Sequence, residues 1–209
     1  MRVHDEIELK WAVDAAGHAA LAHRLAAQLG SPTHLAQQNR FYDTPSRDLR
    51  KARMNLRLRH ENGRVLMTCK QKAQETAAGL SHHHEWEAWV DTDLFARRPD
   101  AAWRAALPLP APIIAALGDQ PLEALGGFAN ERQEFHHQRD GVEELLCLDR
   151  TTFVLPGGGQ RHDHELEIET TDPAGTAACW RAHLAAWHIA WHPQPATKFA
   201  RFVTLATGG

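Results

Sequence analysis

Apolar and polar residues alternate along most of this chain, the period-two signature of strands with one apolar face and one polar face. Such runs occur at Glu6 to Lys10, Asn39 to Tyr42, Met54 to His60, Val65 to Lys72, His84 to Val90, Glu131 to His137, Glu143 to Asp149 and His162 to Thr170. They predict eight strands. The tetrapeptide Glu61-Asn62-Gly63-Arg64 carries the Asn-Gly hairpin signal, so the strands on either side of it should be antiparallel neighbours. Two segments follow a helical period instead. Asp14 can cap a helix running to about Leu29, with Leu21, Leu25 and Leu29 on one stripe and Gly30 as its stop; a second spans about Pro173 to Trp187. Residues 91 to 127 hold prolines at 99, 108, 110, 112 and 121 and read as short helices, roughly Pro99 to Ala106 and Pro112 to Leu117. Pro156 to Gly159 reads as a connection, and the tail from Lys198 to Thr207 as a helix or a last strand.

The chain has 209 residues, 43% of them hydrophobic, enough for its own core. No repeat or linker divides it, so a single domain over residues 1–209 is expected, of α+β class. The net charge of −3 argues against general nucleic-acid or membrane-surface binding, so any anion site must be local. Cys69, Cys147 and Cys179 are odd in number and lack a CxxC pair, which suits reduced thiols. With no signal-type apolar run and no membrane-spanning stretch, a cytoplasmic protein is expected.

Charge sharpens the picture, because the positions opposite the aliphatics are almost uniformly ionised. Glu6, Glu8 and Lys10 share one face of the first strand. Taken alone, that triad also describes the wet face of an ordinary strand. Arg57 and Arg59 share a face, as do Lys70 and Lys72 on the partner strand; Glu85 and Glu87 repeat the carboxylate alternation, and Glu165, Glu167 and Glu169 extend it. Segregated acidic and basic strands are costly unless charges and ligands neutralise one another. A closed barrel with a polar lumen satisfies that demand, its apolar side covered by the two amphipathic helices. Eight cations, Lys10, Arg57, Arg59, Lys70, Lys72, Arg132, Lys198 and Arg201, exceed what a phosphate monoester needs and suit a polyphosphate. The glutamates make sense if a divalent cation bridges carboxylate and phosphate, and oxygen-only ligands select magnesium or manganese.

Together these residues resemble the CYTH superfamily of triphosphate tunnel metalloenzymes, and within it the bacterial inorganic triphosphatases. The resemblance rests on Glu6-x-Glu8-x-Lys10, Phe41-Tyr42-Asp43-Thr44-Pro45, the Arg57/Arg59 to Lys70 hairpin, Glu85-x-Glu87, Arg132, Leu148-Asp149, Glu165-x-Glu167-x-Glu169 and Lys198-x-x-Arg201. It implies an eight-stranded antiparallel closed β-barrel that hydrolyses tripolyphosphate to diphosphate and phosphate. Basic residues would bind phosphates; Glu6, Glu8, Asp149, Glu165, Glu167 and Glu169 would hold one or two Mg2+ or Mn2+ ions. Glu85 and Glu87 would orient basic side chains or water. His82-His83-His84 stands where relatives often carry Arg, and no histidine-rich CHAD domain follows before Gly209. Class IV adenylate cyclase and thiamine or nucleoside triphosphatase are the rival activities, and a non-catalytic polyphosphate- or nucleotide-binding module is the rival class. The expected partner is a small-molecule triphosphate, with the protein a monomer or homodimer.

Three adjacent strand histidines alternate faces, so His82 to His84 cannot converge on one metal, and His164, next to Glu165, should point away from the glutamates. Trp11, Trp86 and Trp89 are expected in the core or under a helix, and Trp180, Trp187 and Trp191 in helix packing. Asp43 and Thr44 are expected to shape a turn.

Overall fold

The computed structural model describes residues 1–73 and 79–206. Among them are strands β1 (Arg2–Val13), β2 (Thr33–Asp43), β3 (Met54–Glu61), β4 (Arg64–Lys72), β5 (Leu80–Val90), β6 (Glu123–Arg139), β7 (Val142–Val154), β8 (Gln160–Thr170) and β9 (His192–Pro193). The α-helices are α1 (Ala15–Leu29), α2 (Asp48–Lys51), α3 (Ala101–Ala105), α4 (Ala111–Leu117), α5 (Pro173–Ala186) and α6 (Lys198–Ala206). The strand order is β5-β4-β3-β2-β6-β7-β8-β1-β9, and β5 also pairs with β1, so the eight long strands form a closed antiparallel barrel of α+β class.

The chain divides into two compact units. Among the described residues, unit 1 comprises Met1–Asp5, 37–73 and His83–Phe128; unit 2 comprises Glu6–Ala36, 79–82 and 129–206.

Unit 1 is organised by the β3–β4 hairpin, whose register pairs Glu61 with Arg64 around Asn62 and Gly63 at φ 49° and 74°. Positive φ at both positions is what a two-residue hairpin of matching twist requires. Leu56, Leu58, Val65, Met67 and Cys69 turn their apolar face onto Leu94, Phe95, Trp103, Leu107, Ile113 and Leu117. The proline-rich excursion therefore supplies the lid of this core. The expectation that the two long amphipathic helices cover the apolar side is corrected here, because the short helices α3 and α4 do so in unit 1. Burial in this core pushes the Cys69 thiol up to about 12, which leaves it an inert apolar group. Asp43 accepts hydrogen bonds from the backbone of Thr44, Leu49 and Arg50, so it shapes the turn into α2 as expected.

Unit 2 packs Leu9, Trp11 and Val13 of β1 with Leu146 and Leu148 of β7 and Leu166 and Ile168 of β8 against Leu21 and Leu25 of α1 and Trp180 and Leu184 of α5. Asp14 caps α1 by accepting from the Gly17 N–H at 2.6 Å, and Asp172 caps α5 through Gly175 at 3.1 Å. Glu144, on the apolar side of β7, is buried yet satisfied by His137, Arg139, Thr176 and Trp180, which tie α5 to the sheet.

Several strands exceed their sequence signal. β6 begins at Glu123 and not at Glu131, because Gly126 and Gly127 dilute the alternation there. Gly127 is required by contact: a Cβ on it would lie 1.7 Å from the Asn39 carbonyl oxygen. β2 and β5 likewise start six and four residues earlier than expected, at Thr33 and Leu80. β9, two residues long, is too short to carry a period. Of the two options for the tail, the helix is the one formed; Thr207 lies outside the described residues. Trp89 is a further correction, since it is 48% exposed, with the Arg64 guanidinium 3.7 Å above its ring. It shares its strand face with Glu85 and Glu87, not with the apolar Trp86 and Ala88.

Candidate active site

Strand alternation sets a charged face in each unit. In unit 1 the register places Arg57 opposite Thr68, Thr68 opposite Glu87, and Lys70 opposite Glu85. Arg57 donates to the Thr68 hydroxyl at 3.1 Å, and Lys70 forms an ion pair with Glu85. Among the described residues, Arg59 lies 3.7 Å from Glu61 and 4.0 Å from Glu87. Lys72 is exposed at the end of β4, across from His83. His84 meets Asp5 and His83 is buried, so neighbouring histidines do take different faces. Two buried amides on β2, Gln37 and Asn39, share one parity of that strand; Gln37 bonds Glu61 at 2.9 Å. The sequence pattern alone did not single out either, although Gln37, Asn39 and Phe41 fall at strand spacing.

Unit 2 carries the denser acidic face. On β1, Glu6, Glu8 and Lys10 are all buried, and the Lys10 ammonium donates to Glu8 at 3.1 Å. β8 runs antiparallel beside them, with Glu169 opposite Glu8 and Glu167 opposite Lys10. On the other edge of β8, Glu165 lies opposite Asp149 of β7. One oxygen from each of Asp149, Glu165 and Glu167 lies within 4.8 Å of the others, all three side chains being buried. Glu169 is half-buried further along the strand.

Cations thread this cluster. Arg132 grips Asp149 through Nε at 2.8 Å and through a terminal nitrogen at 2.7 Å, and reaches Glu167 at 2.7 Å. Lys198 Nζ lies 2.7 Å from Asp149 and 2.8 Å from Glu167 and is also paired with Glu165. Arg201 takes Glu165 at 3.0 and 3.1 Å, Asp163 at 2.9 Å and the Ala196 carbonyl at 2.7 Å. Burial alone would favour the neutral Asp149 acid, but Arg132 and Lys198 outweigh it and hold the carboxyl far below the ordinary range. The same balance runs in reverse at Lys198, where burial opposes the ammonium and Asp149, Glu165 and Glu167 push its pKa up.

The family follows from this set of residues. A CYTH-domain model matches residues 4–202. The chain belongs to the CYTH family. Among solved structures, this CYTH chain is similar to a Hippeastrum protein described as an adenylyl cyclase with a dominant triphosphatase activity, at 23% identity and TM-score 0.83, covering 96% of each chain. It is also similar to an adenylate cyclase assignment from Bacillus halodurans, at 22% identity and TM-score 0.68, covering 97% of this chain and 99% of that one. A chain of the Schizosaccharomyces pombe Mediator head module shares the fold at 12% identity and TM-score 0.57, covering 90% and 98%. The search of curated proteins gave no match. At these identities the likeness is one of fold, and function has to be argued from the residues.

For the CYTH chain the donor chemistry is informative. Three buried carboxylates on adjacent strands offer hard oxygen ligands within 4.8 Å of one another, a set that could hold a hard cation and does not suit a soft metal. A positive group already fits among them, the Lys198 ammonium. Asn130 was not anticipated from sequence: it is buried, donates to Asp149 at 2.9 Å and accepts from Thr151 at 2.9 Å. Its spacing from Arg132 on β6 is the available signal. His164 points away from the glutamates as expected, its ring 5.0 Å from that of His18 on α1. Burial and the neighbouring His164 push His18 down to about 4.

Proposed function

We propose that this CYTH protein, acting as one domain, is a metal-dependent triphosphatase that hydrolyses inorganic triphosphate to diphosphate and phosphate. The observation that supports this most is the division of charge. Unit 1 lines one face of β3 and β4 with Arg57, Arg59, Lys70 and Lys72, donors suited to phosphate oxygens. Unit 2 presents carboxylates gathered within 4.8 Å, which an anion binder alone has no use for.

In this reading Arg57, Arg59, Lys70 and Lys72 bind phosphates together with Lys10, and Glu85 and Glu87 orient the basic side chains. Glu6, Glu8, Asp149, Glu165, Glu167 and Glu169 are the residues that would hold Mg2+ or Mn2+. Held by these carboxylates, such an ion would supply a water of lowered pKa and would neutralise charge on the transferring phosphoryl group. Arg132, Lys198 and Arg201 spend their donors on carboxylates, so we assign them to positioning those ligands, an indirect part in phosphate binding. No described helix is long and apolar enough to cross a membrane. The three cysteines are free thiols, which supports a reducing, cytoplasmic setting.

Steady-state assays of tripolyphosphate, ATP and thiamine triphosphate with Mg2+ or Mn2+ test the proposal, with cyclic nucleotide scored among the products. Tripolyphosphate is expected to have the highest kcat/KM. A preference for ATP or thiamine triphosphate by about tenfold, ~1.4 kcal/mol in transition-state binding, overturns the assignment of substrate.

A further inference from the structure

Lys198 stands at the start of α6, where Thr197 caps the helix by accepting from the Ala200 N–H at 3.1 Å. A cation at a helix N-terminus is electrostatically misplaced, since that end already carries partial positive charge. It is tolerated here because its Nζ sits among Asp149, Glu165 and Glu167, 2.7 Å from the first and 2.8 Å from the last. One turn on, Arg201 adds a second cation, taking both oxygens of Glu165 and reaching Asp163 beyond it. Asp149, Glu165 and Glu167 are all buried from solvent, so their charge has to be balanced locally.

We propose that Lys198 is an internal counter-cation that occupies the place of a divalent ion in the free protein, so that metal gains the Asp149–Glu165–Glu167 site only when the ammonium leaves it. Charge balance favours this exchange. Asp149, Asp163, Glu165 and Glu167, with Glu134 beside Arg132, face Arg132, Lys198, Arg201 and, at Asp163, Arg161, which leaves a single negative charge uncompensated within the set. A dication added to that set overshoots neutrality in a buried site. A dication that replaces the ammonium brings the set to neutrality. Geometry agrees, because the ammonium makes contact with the same three carboxylates whose oxygens define the candidate metal site. Helix α6 is thereby held on the acidic face by a contact that metal binding would break.

The inference rests on reading these three carboxylates as metal ligands, and its test uses metal alone, so it can fail or stand independently of the triphosphate assignment. Mn2+ binding is counted by titration calorimetry and by the loss of free-ion paramagnetic resonance, without triphosphate, in the full chain and in Lys198→Met and Lys198→Arg. Lys198→Met is expected to gain a Mn2+ site at least about tenfold tighter than any Mn2+ binding at these carboxylates in the unsubstituted protein, where the ion must first displace the ammonium, and to regain in Mn2+ the melting temperature it loses without it. Lys198→Arg, which keeps the cation, is expected to match the unsubstituted protein. Adding Glu167→Gln to Lys198→Met should remove the gained ion. Equal Mn2+ stoichiometry and affinity in the unsubstituted protein and Lys198→Met overturns the proposal. So does a Lys198→Met chain that stays unfolded in millimolar Mn2+, because the dication then fails to substitute for the ammonium.

Discussion

The two units use the same residue types in opposite ways. On the β3–β4–β5 face of unit 1, Arg59 stands 3.7 and 4.0 Å from its carboxylates, while Lys70 pairs with Glu85 and Arg57 donates to the Thr68 hydroxyl. On the β6–β7–β8 face of unit 2, Arg132 and Lys198 make short, shared contacts, each bridging more than one carboxylate. Arg59 is no more exposed than Arg132, so what separates them is distance: a contact at 3.7 to 4.0 Å holds its guanidinium more loosely than one at 2.7 Å. A buried network at 2.7–2.8 Å is costly to break, because removing one member strands the others without water.

The largest expected effect falls on turnover. Glu8→Gln should lower tripolyphosphate hydrolysis by about a thousandfold or more while equilibrium binding of tripolyphosphate stays within about tenfold, since the amide keeps the shape and loses the metal-holding charge. An active Glu8→Gln enzyme would remove the metal role from β1. Next, Arg132→Ala should cost about 3–5 kcal/mol in a denaturant melt, the loss expected when Asp149 is left buried without its main partner. The matching change in unit 1, Arg59→Ala, should move stability by under about 1 kcal/mol yet raise KM for tripolyphosphate by about ten- to a hundredfold. If the two arginine variants behaved alike in both measurements, the contrast between the units would not stand.

A pH effect separates the units further. The folded His18 pKa of about 4 lies below the ordinary value of 6.5, so between those values the unfolded chain binds more protons and stability rises with pH. Melts are expected to weaken by about 1–2 kcal/mol from pH 7 to pH 4, allowing for the partial exposure of the ring. His18→Gln should flatten this slope. The Asp149 carboxyl, whose pKa is depressed, keeps its contribution above the ordinary carboxylate range and loses it only in more acidic solution. The smallest change is Trp89→Ala in unit 1, which removes the exposed stacking of Arg64 and should cost about 0.5–1 kcal/mol by thermal melt.

Much of this was legible because strand alternation is a local signal. Each charged face, from Glu6-x-Glu8-x-Lys10 to Glu165-x-Glu167-x-Glu169, could be read from spacing, and the capped helix from Asp14 to Gly30 formed where the stripe of leucines put it. Gly126-Gly127 hid the first half of β6, because the feature that makes glycine necessary there is a backbone from a strand far away in sequence. Trp89 departs from the expectation for an aromatic strand residue because its parity with Glu87, and not its hydrophobic character, sets the face it takes. Asn130, Gln37 and Asn39 escaped notice because a neutral amide acquires meaning only from the neighbour it satisfies.

Local period and residue chemistry were enough to assign which residues share a face and the class of fold. Which charge partners which came from packing: Arg132 serves Asp149 and Glu167, Arg201 serves Glu165, and the Lys198 ammonium lies among three carboxylates. Those pairings join residues from β6, β7, β8 and α6, and register and helix docking, which set them, are long-range consequences of packing that no spacing along the chain encodes.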